Sequence, residues 1–418
     1  MRKVHVAVVV DPDLGGNEAW CISADEPVSG AYRRAFSLTG VPIPYGRQSI
    51  DADDVQAVAE VLQGDWLTQG PHVAEFESAF AEVCSVPFAV AFSSGTAALH
   101  GAAFAAGVGP GDELVTSAIS FAASANCGAY LGARPRFADI ERDTWNVSAA
   151  TVAPQLSERT RAVVPVHFTG LPAPMEELRA ACGPDVALIE DAAHALGASV
   201  DGVPVGACVH SDMACFSFHP VKAIASGEGG MVTTRNPQLR DRLQEFRNHG
   251  NVRDPDRLRH NPGGWHYEQQ SLGFNYRLSD IHSALGRSQL RKLSTFIGRR
   301  NEIAQRYRDG LGDLSAIELC PQPPPGTVHA YHLFVIRHRD GEGGRRALYD
   351  ALREREIFVQ IHYAPIYLHP WYRDTYGDEP GLCPEAERYY AGCLSLPCFA
   401  TLTEAEQDTV IAAVRELA

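Results

Sequence analysis

Short apolar runs alternate with stretches of helical periodicity over much of the chain. Six runs predict buried strands, and most are separated by ten or more residues compatible with a helix. They cover residues 88–92, 113–116, 134–138, 162–166, 186–190 and 213–218. This alternation is typical of crossover units in a mostly parallel, buried sheet. Because ligands bind at the carboxyl ends of such strands, we expect the chemistry to lie directly after these runs.

Two amphipathic helices are predicted ahead of the sheet. Asp51 is suited to cap the first, and Gly64 to end it. Its apolar positions fall on one face: Val55, Val58, Ala59 and Leu62. The second helix follows Pro71, and four of its residues are expected to point inward: Val73, Phe76, Phe80 and Val83.

The pattern changes after the sheet and suggests a second domain. A long helical region (278–311) leads into a proline-rich linker (321–326), followed by a strand (332–337), a helix (345–355), a strand (359–362) and two closing helices. We therefore predict a large domain over residues 41–315 and a small α+β domain over 316–418. Residues 1–40 contain one strand-like run and are predicted to be a flexible extension or an upstream start rather than a regulatory element.

Composition excludes several classes of protein. The chain has 418 residues, is 45% hydrophobic and has a net charge of −15, without a basic run, which argues against nucleic acid as a partner. Its ten cysteines lack metal-binding spacing, so we expect no metal and buried thiols in a reducing compartment. No signal peptide or membrane-spanning run is recognised, and a cytoplasmic location is predicted.

Lysine is scarce, which draws attention to one position. Of the 36 basic residues only three are lysines, and Lys222 directly follows a predicted strand and Pro220, before a glycine-rich turn. Desolvation there would lower its pKa and expose a nucleophilic amine, as the attachment of pyridoxal phosphate requires. The alternative is an ordinary surface lysine.

Other residues after the strands could serve the same cofactor. Asp191 ends an apolar run, where a carboxylate can pair with the pyridine nitrogen, although it could equally cap the segment that follows. The turn of Ser94, Gly95 and Thr96 precedes a helix and is suited to a phosphate group. Ser217 could add a hydroxyl. Phe121 could stack on the ring, or belong to the core.

The order of these motifs resembles the DegT/StrS family of nucleotide-sugar aminotransferases. The likeness extends from about residue 41 to the C-terminus and is strongest to the pseudaminic acid branch. It is carried by segments 43–48, 66–71, 124–126, 194–198, 273–280 and 360–367. Two segments depart from the usual pattern, 118–121 and 223–226, and neither removes a catalytic group. The resemblance implies the type I fold of pyridoxal phosphate-dependent aminotransferases, an α/β architecture.

The resemblance also implies roles for individual residues. Lys222 would carry the cofactor and Asp191 would pair with its ring nitrogen. Around the ring and phosphate would lie His194, Phe121, Ser94, Gly95, Thr96 and Ser217. Asn275 would reach the phosphate in the neighbouring subunit, which implies a homodimer with shared sites. The substrate side would be formed by Tyr45, Trp66, Leu67, Thr68, Arg277, His362 and Tyr363.

The activity implied is transamination of a UDP-linked 4-keto-6-deoxy-N-acetylhexosamine with L-glutamate as donor. Alternatives are another keto sugar or a cyclitol as acceptor, or a non-catalytic regulator that binds sugar nucleotides. Sugar dehydratases on the same fold carry histidine in place of the lysine, so Lys222 argues against that chemistry. A nicotinamide dehydrogenase is disfavoured because no GxGxxG follows the first strands.

Overall fold

The structure, a computed structural model, describes residues 7–10, 19–22 and 42–418. The chain divides into two compact units, Met1–Val41 and Pro42–Ala418. In the first unit, β1 (Ala7–Val10) pairs antiparallel with β2 (Ala19–Ile22). The remainder of the predicted N-terminal extension lies outside the described residues.

The second unit alternates helices and strands in the order that the sequence predicts for its first half. Its helices are α1 (Ala52–Gln63), α2 (Pro71–Val83), α3 (Gly95–Ala105), α4 (Ala123–Ala129), α5 (Ala149–Val152), α6 (Met175–Cys182), α7 (Pro237–Phe246), α8 (Asp280–Leu290), α9 (Leu293–Leu311), α10 (Glu342–Glu354), α11 (Pro370–Tyr376), α12 (Pro384–Gly392) and α13 (Glu404–Leu417). Its strands are β3 (Phe88–Phe92), β4 (Glu113–Ser117), β5 (Arg134–Ala138), β6 (Thr160–Val164), β7 (Ala187–Asp191), β8 (Ser199–Val200), β9 (Val203–Pro204), β10 (Met213–Ser217), β11 (Gly230–Thr234), β12 (Asn251–Val252), β13 (Glu268–Gln269), β14 (Ile317–Leu319), β15 (Thr327–Val328), β16 (Phe334–His338) and β17 (Cys393–Leu396).

Seven strands form the central sheet, in the order β3-β11-β10-β7-β6-β4-β5. Strand β11 runs antiparallel to both of its neighbours, whereas β10, β7, β6, β4 and β5 pair in parallel. The mostly parallel α/β fold is therefore confirmed. The carboxyl ends of β3, β4, β7 and β10 meet at one edge of the sheet, and the segments that follow them can converge there.

The first two helices begin where the sequence predicts but bury different residues. Asp51 caps α1, accepting hydrogen bonds from the backbone of Asp53 and Asp54, and Gly64 follows its last turn. The prediction for the buried face of α1 is wrong, because Val55 and Leu62 are exposed. Val61 and Asp54 are buried instead, and α1 packs along α8. In α2, Phe76 and Phe80 are buried as predicted, whereas Val83 is exposed.

The C-terminal part packs helices on a small antiparallel sheet of order β14-β16-β17. The predicted long helix is divided into α8 and α9. The predicted strand at 359–362 is wrong: Gln360 forms only an isolated bridge with Ser395 of β17, a strand that the sequence pattern missed. Directly after the proline-rich segment, β15 pairs antiparallel with β8, in a small three-stranded sheet of order β15-β8-β9. The domain boundary between residues 315 and 316 stays a prediction.

The structure shows the state of the cysteines and the apolar character of the helices in the described residues. Nine cysteines have free thiols, and all nine are buried, as the sequence predicts for small apolar side chains. In the part of the chain that the structure describes, no helix has the length and apolar character needed to span a membrane.

Candidate active site

The turn between β3 and α3 forms a tightly closed backbone cradle. The Ser94 hydroxyl caps α3 by accepting a hydrogen bond from the Ala97 N–H at 3.1 Å. A Cβ atom on Gly95 would lie 2.7 Å from the Ser217 Cβ, and one on Gly230 would lie 2.3 Å from the Ser94 carbonyl oxygen. Only glycine fits at these two contacts. The first N–H groups of a helix lack partners within it, so the start of α3 is suited to an anion.

Asp191 ends β7, beside β10, and its carboxylate is held on both oxygens. The Ser124 hydroxyl donates to Oδ2 at 2.6 Å, and the Ala193 N–H donates to Oδ1 at 3.2 Å. Ser124 in turn lies 2.6 Å from the Ser120 hydroxyl. The side chain is buried, and no helix follows it, so it forms a local turn rather than a helix cap. A buried carboxylate with two donors is fixed in direction and can face a cationic ring nitrogen.

Lys222 lies in a loop that closes upon itself after β10. The loop is joined by backbone hydrogen bonds from Phe218 to Gly229 and from Ser226 to Phe218, at 2.8 and 2.9 Å. Burial lowers the pKa of the Lys222 amine to about 8, against the opposing effect of Asp191. The amine lies 3.5 Å from Nε2 of His332. The lysine is thus an amine with an appreciable neutral fraction close to physiological pH.

Three histidines and a tyrosine form an uncharged wall beside the lysine. Burial and the nearby Lys222 hold the pKa of His194 well below its ordinary value and lower that of His362 to about 3. Nε2 of His194 lies 3.5 Å from the Tyr363 hydroxyl. Burial also raises the pKa of Tyr363. All of these groups are therefore neutral at pH 7, and His332 behaves in the same way.

The C-terminal part of the chain brings Tyr363 to this wall. The Ile366 N–H donates to the Ala118 carbonyl at 2.9 Å, and this bond fastens the segment to the end of β4. Nδ1 of His362 lies 2.8 Å from the Ser395 hydroxyl, and its ring lies 5.3 Å from that of Tyr45. Residues predicted from distant parts of the sequence, Tyr45, His194, His362 and Tyr363, therefore lie together.

Other predicted residues lie on the open side of this region. Phe121 is 62% exposed, and its ring lies 6.3 Å from that of Tyr363. Trp66 and Leu67 are also largely exposed, as is Thr68. The Leu67 carbonyl accepts a hydrogen bond from the Asp280 N–H at 3.0 Å, which ties this loop to the start of α8. Within one described chain, these side chains are left open to solvent.

Asn275 and Arg277 lie on a segment that crosses the phosphate turn. The carbonyl of Tyr276 accepts a hydrogen bond from Ser93 at 2.8 Å, and Asn275 itself is exposed. Arg277 Nη1 donates to Asn248 Oδ1 at 2.6 Å, and its Nε is buried without a partner. Arg277 lines a cavity of about 440 Å³. Within residues 42–418, no hydrogen bond joins Arg277 to Lys222 or Asp191.

No role was predicted from the sequence for several residues of this site. Ser124 and His332 contact Asp191 and Lys222 across 67 and 110 residues of chain. Gly230, at the start of β11, supports the phosphate turn, and β11 itself was not predicted. The glycine pair at 229–230 was a signal for the contact with the phosphate turn, because a close backbone approach favours glycine.

The family of this chain follows from its similarity to known proteins. The model of the DegT/DnrJ/EryC1/StrS aminotransferase family matches residues 48–415. This chain belongs to that family. The spore coat polysaccharide biosynthesis protein SpsC of Bacillus subtilis is 36% identical over 379 residues, which cover 90% of this chain and 97% of SpsC.

Solved structures show the same relationship. PseC of Helicobacter pylori, an aminotransferase involved in the biosynthesis of pseudoaminic acid, is 31% identical, with a TM-score of 0.83 over 90% of this chain and 99% of its own. Spr1654 of Streptococcus pneumoniae, in its PMP-form, is 26% identical, with a TM-score of 0.84 over 90% and 98% of the two chains. The same protein is also solved in a PLP-form. The chain is thus a pyridoxal phosphate-dependent sugar aminotransferase.

The residues present fit this cofactor. The glycine-walled start of α3 is shaped for a phosphate, and the carboxylate of Asp191 is fixed in a buried position. Nδ1 of His194 and Nδ1 of His332 are buried without partners in the described chain, so polar groups remain free at the site. When bound, pyridoxal phosphate supplies an electron-withdrawing ring that stabilises negative charge on the reacting carbon.

Proposed function

We propose that the enzyme transfers the amino group of L-glutamate to the C4 ketone of a UDP-linked 4-keto-6-deoxy-N-acetylhexosamine. The observation that supports this most directly is the wall of neutral side chains beside Lys222, because uncharged aromatic faces and hydroxyl groups suit a sugar ring. The relationship to PseC supports a role in biosynthesis of the pseudaminic acid type. We further propose that the enzyme acts in the cytoplasm.

In this proposal, each residue has a defined task. Lys222 would hold the cofactor and, when its amine is free, would move a proton between the substrate carbon and the cofactor carbon. Asp191 faces the ring nitrogen and keeps it protonated. The phosphate is bound by Ser94, Gly95, Thr96 and Ser217, while His194 and Phe121 lie against the ring. The sugar nucleotide contacts Tyr45, Trp66, Leu67, Thr68, Arg277, His362 and Tyr363.

A panel of acceptors tests the substrate. The purified enzyme, loaded with pyridoxal phosphate and L-glutamate, is offered UDP- and dTDP-linked 4-keto sugars and a keto-cyclitol. We expect the UDP-linked N-acetylated 4-keto sugar to give the highest kcat/KM, with a 4-amino sugar as product by mass spectrometry. Preference for the dTDP-sugar or the cyclitol would contradict the proposed acceptor, and preference for another amino acid would contradict the donor.

We also propose a homodimer in which Asn275 of the partner subunit completes each phosphate site. Exposure of Asn275 and Phe121 supports this, because both lie beside the site yet are uncovered in one chain. A complementation experiment tests it: Lys222→Ala and Asn275→Ala chains are unfolded, mixed and refolded together. With shared sites, one site of each mixed dimer is fully wild type, so activity returns, up to about a quarter of the wild-type level with random pairing.

Each variant refolded alone serves as the control for that mixture. If the two chains associate, as light scattering would show, and activity does not return above the two controls, the sites are not shared. A monomer that binds cofactor at full strength would also contradict the proposed dimer.

Replacement of Arg277 is expected to weaken ligand binding and leave the fold intact. A guanidinium binds a diphosphate or a carboxylate through paired hydrogen bonds, so Arg277→Ala should cost about 1.5–3 kcal/mol in binding of the UDP-sugar or of glutamate. Kinetics of the two half-reactions identify which ligand is affected. Asn248→Ala is the matched variant, since it removes the neutral partner of Arg277 and keeps the charge. Unchanged Michaelis constants in both half-reactions would make Arg277 a structural residue.

A further inference from the structure

A buried histidine from the C-terminal part of the chain lies against the amine of Lys222. Nε2 of His332 is 3.5 Å from Nζ of Lys222, and His332 is 5% exposed. Within residues 42–418, no other hydrogen-bond partner of this amine is found. The contact therefore joins the loop after β10 to the segment just before β16.

The position of His332 is set by the protein itself. Arg300, buried on α9, donates through Nη1 to the carbonyls of Tyr331, His332 and Cys398, at 3.0, 3.2 and 2.6 Å. The His332 ring packs against that of His194, with centroids 4.3 Å apart. Backbone and ring are thus both held in place, so the imidazole is available to Lys222 in a constant position.

The charges around His332 keep it in its neutral form. Burial, and then Lys222, His194, Arg300 and His362, hold its pKa well below the ordinary value. A neutral imidazole has one donor and one acceptor nitrogen. The ammonium form of Lys222 can only donate, so opposite it Nε2 is the acceptor and Nδ1 carries the proton. Asp191 is the opposite charge that also attracts Lys222.

We propose that His332 is a positioning residue for Lys222, accepting a hydrogen bond from its amine whenever that amine is not attached to the cofactor. This rests on the proposed role of Lys222. The lysine stem is long and flexible, and the acceptor would hold the amine in one position instead of leaving it to pair with Asp191. During the proton transfer, Lys222 takes a proton from one carbon and returns it to the other. Another N–H group of Lys222 stays hydrogen-bonded to His332, and His332 neither gains nor loses a proton.

The test measures the reactivity of the free amine in the intact enzyme. Full-length protein loaded with pyridoxamine 5′-phosphate, which leaves Lys222 free, is labelled with acetic anhydride over a range of pH, and the peptides are quantified by mass spectrometry. With only three lysines in the chain, the labelled peptides are readily told apart, and Lys292, paired with Asp51 and Asp54, is the internal reference. The wild-type midpoint for Lys222 is expected at about 8.

Two substitutions distinguish positioning from packing. In His332→Phe the acceptor is lost, and the midpoint of Lys222 should fall by about one pH unit, because a hydrogen bond to an ammonium group favours its protonated form. The kcat of the glutamate half-reaction should fall about tenfold with little change in KM. His332→Gln, whose Oε1 can accept, should restore part of both. His329→Phe is the matched control, since this buried histidine bonds the Tyr331 N–H and makes no contact with Lys222.

The proposal is overturned if folded His332→Phe leaves both the labelling midpoint and kcat unchanged, or if glutamine restores nothing. If the phenylalanine variant fails to fold, His332→Asn replaces it, because its shorter side chain cannot reach Lys222, and the comparison with glutamine is the same. Failure of the proposed role of Lys222 is a separate result, since Lys222→Ala would then retain turnover whatever the variants at 332 show.

Discussion

Replacement of Lys222 by alanine is expected to abolish the visible absorption of the lysine-linked cofactor and to reduce turnover by at least about 10³-fold. The physical reason is that the side chain supplies both the attachment of the cofactor and the base for proton transfer. Burial that lowers the pKa of this amine to about 8 suits it to both tasks. Absorption spectra and steady-state kinetics of the purified variant measure the two effects.

Lys222→Arg is the matched control for that experiment. It preserves the positive charge, but a guanidinium stays protonated and cannot act as a nucleophilic amine. Both variants should therefore lose the absorption band, while circular dichroism shows an unchanged fold. A Lys222→Ala protein that turned over at the normal rate would mean that another group is the catalytic amine.

Asp191→Asn is expected to lower kcat by about 10²–10³-fold while the cofactor remains attached to Lys222. Asparagine nearly preserves the shape: its Oδ1 can still accept from the Ala193 N–H, and its amide N–H can donate to the Ser124 hydroxyl oxygen in place of the bond that Ser124 donates to Oδ2. What it removes is the negative charge opposite the ring nitrogen, so the ring withdraws electrons less strongly. Retention of the visible absorption band, together with slow turnover, is the expected signature.

Ser124→Ala provides a graded comparison with Asp191→Asn. It removes the hydrogen bond to Oδ2 and retains the carboxylate, so we expect a loss of about tenfold or less, the equivalent of one hydrogen bond. Equal losses in the two variants would show that the orientation of Asp191 matters as much as its charge. Normal kinetics of Asp191→Asn would exclude Asp191 as the partner of the ring.

The elements that the sequence predicted well are those with strong local periodicity. Strands β3 and β5 match the predicted runs residue for residue. In β3 the run is continuously apolar, as is typical of a buried strand, whereas the edge strand β5 contains two arginines and buries its other three residues. Strand β11 was not predicted, because the glycines at 229 and 230 indicated a turn at the point where the strand begins. The run at 359–362 has strand-like composition, but it forms only one bridge, between Gln360 and Ser395, because β17 pairs with β16 instead.

In the candidate site, too, some residues could be recognised from the local sequence and others only from the tertiary structure. Asp191 and Lys222 are recognisable because each follows an apolar run, and the topology then places β7 beside β10, with Asp191 opposite Cys215. No role was predicted for His332, or for Ser124, although Ser124 lies in a segment that carries the family resemblance. Only the packing of α4 on the sheet and of the C-terminal part on the loop after β10 brings them to the carboxylate and the amine.

By itself, the sequence determined the α/β class, the order of the main elements and the positions at which reactive side chains follow strands, because each depends on local periodicity and on which residue types the chemistry needs. The tertiary structure decided which of these ends lie side by side, which face of α1 is buried, and which groups surround Lys222. Desolvation of that amine could be predicted from its place after a strand, but its approach to His332 and the nearby charges of Asp191 and Arg300 cannot be deduced from residues adjacent in the chain.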